Sequence, residues 1–304
     1  MRAFLLRRIC SLGLALLAAS VAVFLLVRLV PGDPARLLLK NPTPEKLAEI
    51  RARLALDQPL PVQYAIWLKH TLAGNLGESV VTGRAVSREL ARTWPATLEL
   101  AIAAMILATV AGVWLGVVAA RHAGRWPDVI VSAVGLIGLS VPVFWLGLLA
   151  MLLFSLQLGW LPAGGREDWR SLVLPASVLA LIPGAFIVRV TRAAVIETLG
   201  QDFIRTARAK GASERTVLYR HALRAALVPV VTMIGVEFAY LLGGAVLTET
   251  VFAWPGIGRF IATAVLARDY PAIQGALLVL VVMVMAVNFV VDLLHQVIDP
   301  RLRT

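Results

Sequence analysis

The sequence predicts an all-α, polytopic membrane protein with six transmembrane helices, and three observations carry that expectation. Apolar residues fill 59% of the 304 positions and charged residues only 15%, whereas a soluble globule is apolar at about 45–50% of its positions. Mean hydropathy is +0.83, and the apolar residues gather into runs long enough to cross a hydrocarbon core about 30 Å thick. The links between these runs alternate between basic and charge-balanced, as a chain threaded back and forth through a membrane requires. The net charge of +11 does not point to nucleic acid, because the basic residues sit at the ends of apolar runs and form no single basic domain with interleaved aromatics. Cys10 is the single cysteine, so neither an intrachain disulfide nor a cysteine metal site can form.

The first span covers residues 9–30, behind Arg2, Arg7 and Arg8. A cleavable leader is the alternative, with Ala18, Ala19 and Ser20 as small residues near a cleavage point. The apolar run outlasts the usual 7–15 residues of a leader, however, and more spans follow. Arg28, near its far end, is expected to snorkel to the interface. Residues 31–94 turn polar and proline-rich and are expected to form a small external subdomain, with short helices from Pro44 to about Leu54 and from Val62 to Thr71.

Residues 95–299 are expected to form the membrane core, with a tail at 300–304. Its five spans fall near 96–120, 129–158, 172–190, 230–251 and 275–298. Arg121, His122 and Arg125 make a short basic link, Gly159–Ser171 is charge-balanced, residues 191–228 are strongly basic, and Arg301 and Arg303 follow the last span. The even number of spans puts both termini and the 191–228 loop on the cytoplasmic side. Small residues at Gly112, Gly116, Gly135, Gly138, Gly184, Gly235, Gly243 and Gly244 suit close helix packing. Pro142 and Pro183 are candidate hinges, with ordinary helix packing as the alternative.

Charges within spans are costly enough to be functional candidates. Glu237 in the fifth span, Glu99 near the start of the second, and Asn288 in the last, close to Asp292, are the candidates for lining a translocation pathway. For Glu237 the alternative is a structural ion pair with a residue such as Arg189. The segment Glu249–Arg259 combines Phe252 and Trp254 with Pro255, Gly256 and Gly258. It suits a tight external turn that dips back toward the bundle, or an aromatic anchor at the interface.

The stretch from Glu197 to Pro229 is the longest polar run between two apolar ones. Ile196, Leu199, Phe203 and Ala207 follow helical spacing up to Gly211; Leu218, Ala222, Ala225 and Pro229 follow it afterwards. Two helices therefore meet at an elbow, with Gly211 in the left-handed position that ends the first. Ser213 caps the second, and Glu214 supplies a negative charge to its first turn. An ordinary basic cytoplasmic loop is the alternative.

Arg205-Thr206-Ala207-Arg208-Ala209-Lys210-Gly211, followed by His221-Ala222-Leu223-Arg224 and Leu227-Val228-Pro229, resembles the coupling loop of ABC-importer permeases. The branch serving dipeptides, oligopeptides, nickel chelates and glutathione is the most similar. The general signature begins Glu-Ala-Ala with a Gly six residues after the Glu. Here Arg205-Thr206-Ala207 stands in that place, so only its last Ala and the Gly match, a departure shared by the peptide branch. Pro31-Gly32-Asp33-Pro34-Ala35, Leu56-Asp57-Gln58-Pro59-Leu60, Pro95-Ala96-Thr97-Leu98-Glu99-Leu100, Arg268-Asp269-Tyr270-Pro271 and Asp299-Pro300-Arg301 extend the resemblance over nearly the whole chain.

The resemblance implies a type I ABC importer architecture and an inner-membrane permease subunit that works by alternating access on short peptides, nickel complexes or glutathione. It implies a second homologous permease, two ABC ATPase subunits carrying ATP and Mg, and an extracytoplasmic solute-binding protein as partners. It implies that Arg205, Thr206, Ala207, Arg208, Lys210, Gly211, Ala212, Ser213 and Glu214 couple to the ATPase.

No Gly-Lys pair occurs, so a P-loop is excluded and ATP must be handled by a partner. His70, His122, His221 and His295 are scattered and none begins an H-E-x-x-H motif, so no metal site, catalytic residue or bound cofactor is expected. Asp292 and His295 share a helical face near a span end and read as a solvated pair. A stand-alone secondary transporter is the different-class alternative, but no internal repeat is evident. An intramembrane enzyme would need a convergent constellation that is absent.

Overall fold

The computed structural model describes residues 2–29, 34–37, 43–53 and 56–298. The described residues are mostly helical, with no strand among them. The expected 300–304 tail and the side chain of His295 lie outside the described residues, so the Asp292–His295 pairing does too. Four helices are long and apolar enough to cross a membrane, and a bent helix pair counts as a fifth crossing if it is one span. In chain order these follow α1, whose apolar stretch covers Cys10–Leu26.

The chain divides into two compact units. One comprises residues 1–97 and 255–285. It holds α1 (Arg2–Leu29), α2 (Pro34–Leu37), α3 (Pro44–Arg53), α4 (Leu60–Leu72), the start of α5 (Val86–Arg121), α12 (Ile257–Leu266) and most of α13 (Tyr270–Ile298). The two short helices expected after the first span are α3 and α4. Phe24 of α1 lies edge-on to Tyr64 at 5.2 Å and beside Trp67 at 5.6 Å, and Ser20 shares a 2.7 Å hydrogen bond with Tyr64.

Arg28, near the far end of α1, stacks 3.5 Å over the Phe24 ring and donates to Gln63 Oε1 of α4 at 2.9 and 3.1 Å. The unit's core is Val86, Leu90, Ile257, Tyr270 and Ile273. The Ser79 hydroxyl donates to the buried Asp269 at 2.5 Å, and Thr97 Oγ1 accepts from the Ile257 amide at 2.8 Å, satisfying an otherwise orphaned donor at the start of α12.

The second unit comprises residues 98–254 and 286–304. It contains the rest of α5, α6 (Trp126–Ser140), α7 (Val143–Ala150), α8 (Arg170–Leu199), α9 (Asp202–Ala209), α10 (Glu214–Thr216) and α11 (Leu223–Val251). Helix α7 runs on as a π-turn from Met151 to Gln157. The span expected over 129–158 is not one straight helix. It bends by 103° between α6 and α7, where Val141 is extended ahead of Pro142. Proline excludes the helical conformation from the residue before it and cannot donate to the preceding turn. Pro183, by contrast, lies inside an unbroken α8.

Helices α5 and α8 approach as closely as the glycines allow. A Cβ on Gly112 would meet Ile187 at 2.8 Å, and one on Gly116 would meet Thr191 Cβ at 2.6 Å and the Val188 carbonyl at 2.8 Å. Helix α8 thereby buries one full face, including Ile187, Thr191 and Val195.

Candidate functional site: the elbow and the buried charges

The elbow is built by local chemistry. Helix α9 ends in a Schellman arrangement: the Ala212 amide donates to the Ala207 carbonyl at 3.1 Å, and the Gly211 amide to the Arg208 carbonyl at 2.9 Å. That pattern requires a left-handed residue, and Gly211 has φ +82°. Ser213 then caps α10, its Oγ accepting from the Thr216 amide at 3.3 Å. Across the turn the Arg208 guanidinium grips the Glu214 carboxylate with two hydrogen bonds of 2.8 and 3.2 Å. This carboxylate raises the Arg208 pKa above its ordinary value, chiefly through the side-chain hydrogen bond.

Beneath the turn, Ile204, Val217 and Ala222 form a buried cluster against Leu199 and Ala212. The elbow is thus a folded unit with its own core, its two short arms fixed by a clamp and a glycine turn. Thr206 bonds back to the Asp202 carbonyl at 3.1 Å. Arg208, Ser213 and Glu214 bond across the turn, while Arg205, which reaches Asp202 of its own arm at 3.4 Å, and Lys210 are exposed. Ala212 packs against the buried cluster, and Ala207 supplies the carbonyl that accepts its amide.

The expected apolar register is off by one residue on the first arm and, on the second, from Ala226 onward. Ile204 is buried while Phe203 is exposed, because α8 ends at Leu199 and α9 starts afresh after an extended Gln201. In the second arm Leu218 and Ala222 are buried as expected, followed by Ala226 and Val230 in place of Ala225 and Pro229. A π-turn over Val217–Ala222 widens the helix there and shifts the face.

The three pathway candidates lie apart from the elbow residues in sequence, and their environments differ. Glu237 is buried on α11, with no hydrogen bond or ion pair among the described residues. The alternative partner, Arg189, is exposed and makes no ion pair with it. Glu99 is half-exposed and takes two hydrogen bonds from Arg166, at 2.5 and 2.8 Å. Asn288 is partly buried on α13. Near Glu237 on α11, Gly235 and Phe238 line an apolar cavity of about 370 Å³ shared with Met105, Val287 and Val291.

Two features have no counterpart in the sequence reading. Asp128, buried at the start of α6, receives Arg192 of α8 through bonds of 2.5 and 2.7 Å, and the Gly124 amide at 2.9 Å. Of the two readings of Glu249–Arg259, full burial of Trp254 and Phe252 favours the segment that turns back into the protein over the aromatic anchor. The Gly165 amide donates to the Phe252 carbonyl at 2.9 Å, and a Cβ on Gly164 would stand 2.2 Å from that oxygen. The Gly164-Gly165 pair was the available signal for that close approach.

Membrane-length helices, interrupted by a compact basic elbow, define a polytopic membrane component. Two family models match it in tandem: "Binding-prot-dependent transport system membrane comp, N-term" over residues 1–101 and "Binding-protein-dependent transport system inner membrane component" over residues 112–304. The chain belongs to this family of inner membrane transport components. It is 42% identical over 301 residues to the glutathione transport system permease protein GsiC of Salmonella choleraesuis (strain SC-B67), covering 99% of this chain and 98% of that one. It is also 42% identical over 333 residues to the di/tripeptide transport system permease protein DppB of Pseudomonas aeruginosa (strain UCBPP-PA14), covering 100% and 99%.

Among solved structures, the MetNI methionine ABC transporter in an inward-facing conformation matches with a TM-score of 0.60 at 21% identity, over 69% of this chain and 96% of that one. An amino acid ABC transporter matches with a TM-score of 0.55 at 14% identity, over 69% and 94%. At these identities the shared property is the fold.

Proposed function

We propose that this chain is the permease subunit of an ATP-driven importer that carries short peptides across the cytoplasmic membrane. In this reading it pairs with a second homologous permease and serves two ATPase subunits, which hold the ATP and Mg. An extracytoplasmic solute-binding protein delivers cargo to it. Both termini and the elbow face the cytoplasm, and residues 31–94 face outward. The chain transports without catalysing a reaction of its own.

The observation that carries the reading is the elbow itself: a pre-formed turn at Gly211, clamped by Arg208 and Glu214, with Arg205 and Lys210 presented to a partner. Closure of the ATPase pair displaces this turn, and α8 and α11, attached on either side of it, follow. ATP must bind one arrangement more tightly for this to happen. A full switch from 1:99 to 99:1 needs about 5.5 kcal/mol of differential affinity. Glu237, Asn288 and Glu99 are assigned to the pathway, with the Glu237 carboxylate suited to a cargo ammonium group.

Glutathione is the second reading, favoured by the 42% identity to a glutathione permease. Accumulation of labelled dipeptide and glutathione in vesicles containing the assembled importer separates the two. ATP-dependent dipeptide uptake is expected, uptake of glutathione alone would move the cargo to the second reading, and no ATP-dependent uptake of either would overturn both.

A further inference from the structure

A cavity of about 580 Å³ lies beside the elbow, between its two arms and the end of α5. Its walls are the last residues of α5 (Ala120, Arg121), the last residue of α8 (Leu199), Arg208, and the start of the second arm from Glu214 to Tyr219. Ala120, Leu199 and Leu218 make it partly apolar. Three guanidiniums, a tyrosine and one carboxylate make up the rest. The carboxylate, Glu214, is already spent on Arg208.

Arg121 and Arg215 form no ion pair among the described residues. The cavity rim therefore carries two positive charges without a carboxylate partner, both on exposed side chains, and like charges raise each other's energy. A multiply oxygenated anion relieves that repulsion. Guanidinium forks match phosphate oxygens in pairs, and the Tyr219 hydroxyl adds a donor.

We propose that Arg121, Arg215 and Tyr219 form a binding site for a phosphate group. Two sources share this chemistry: the headgroup of an anionic phospholipid and free inorganic phosphate. The position favours the lipid. Arg121 closes the apolar helix α5, so the cavity opens where a membrane helix meets the basic loop, and basic pockets between membrane helices on that side are where anionic headgroups bind. The outward residues Arg205 and Lys210 do not line it, so occupation is compatible with a protein docked on the elbow's tip. A bound lipid would tie the elbow to α5 as well as to the helices it interrupts.

The test uses the assembled importer in nanodiscs of phosphatidylcholine doped with phosphatidylglycerol, followed by native mass spectrometry of retained phosphatidylglycerol. Wild type is expected to retain it. The double variant Arg121→Gln, Arg215→Gln should retain at least tenfold less, Tyr219→Phe should retain severalfold less, and Arg220→Gln, an exposed arginine of the same arm outside the cavity, should match wild type. Assembly with the partner subunits, followed by gel filtration, reports that each variant is folded. A second arm adds millimolar inorganic phosphate to the same doped discs. Retained phosphate without lipid preference assigns the site to the free ion, whereas lipid retention undisturbed by phosphate assigns it to the headgroup. Equal retention by wild type and the double variant, or an equal loss in Arg220→Gln, would overturn the proposal.

Discussion

Arg192 on α8 closes on Asp128 on α6 through two parallel hydrogen bonds of 2.5 and 2.7 Å, although the residues are 64 positions apart. Asp128 is almost wholly buried, and its second oxygen also accepts the Gly124 amide at 2.9 Å, so the pair pins the α5–α6 link to α8 two turns before the elbow begins. An unpaired buried charge costs more than the pair contributes.

Asp128→Ala is therefore expected to destabilise the protein by on the order of 2–3 kcal/mol, less than a fully enclosed pair because Arg192 keeps a third of its surface in contact with solvent. Thermal unfolding of the purified protein in detergent measures it. Reversing the charges with Asp128→Arg and Arg192→Asp together should recover part of the loss, and a double variant less stable than either single one would contradict the assignment.

The α5–α8 contact predicts opposite outcomes for two glycines. Gly116→Ala sets a methyl 2.6 Å from Thr191 Cβ and 2.8 Å from a backbone carbonyl, which cannot move away cheaply. A loss of about 1–3 kcal/mol follows from overpacking. Gly138→Ala meets nothing within 4 Å in the last turn of α6 and should be neutral or stabilise by up to about 1 kcal/mol. Thermal shifts of the two variants, measured together, should move in opposite directions or differ by several degrees.

Glu237→Gln keeps the shape of a buried side chain that has no partner among the described residues. Insertion and stability should match wild type, while uptake of a cationic dipeptide by the assembled importer falls at least tenfold. Uptake at the wild-type rate would remove Glu237 from the pathway.

What the sequence made legible was local. Gly211 and Ser213 could be placed because a helix stop and a helix cap are written in adjacent residues, and the structure gives both their expected backbone roles. The spans were legible because hydrocarbon thickness sets their length. Pairings between distant residues were not: nothing near Asp128 points to Arg192, and nothing near Phe24 points to Tyr64 and Trp67. Small changes of helical phase were also hidden. A fresh start after Gln201 and a π-turn from Val217 each turned the apolar face by about one residue, burying Ile204 and Ala226 in place of Phe203 and Ala225. The 103° bend at Pro142 was foreseen only as a site able to bend.

In the proposed mechanism the Gly211 turn transmits force from an ATP-hydrolysing partner. Gly211→Pro tests it most directly, since proline fixes φ near −65° where +82° is required and deletes the amide that bonds to the Arg208 carbonyl. The measurement is the ratio of ATP hydrolysed to cargo imported by the reconstituted complex. Normal membrane insertion is expected, with that ratio raised at least tenfold as hydrolysis runs on without transport. A correctly inserted Gly211→Pro variant with the wild-type ratio would contradict it.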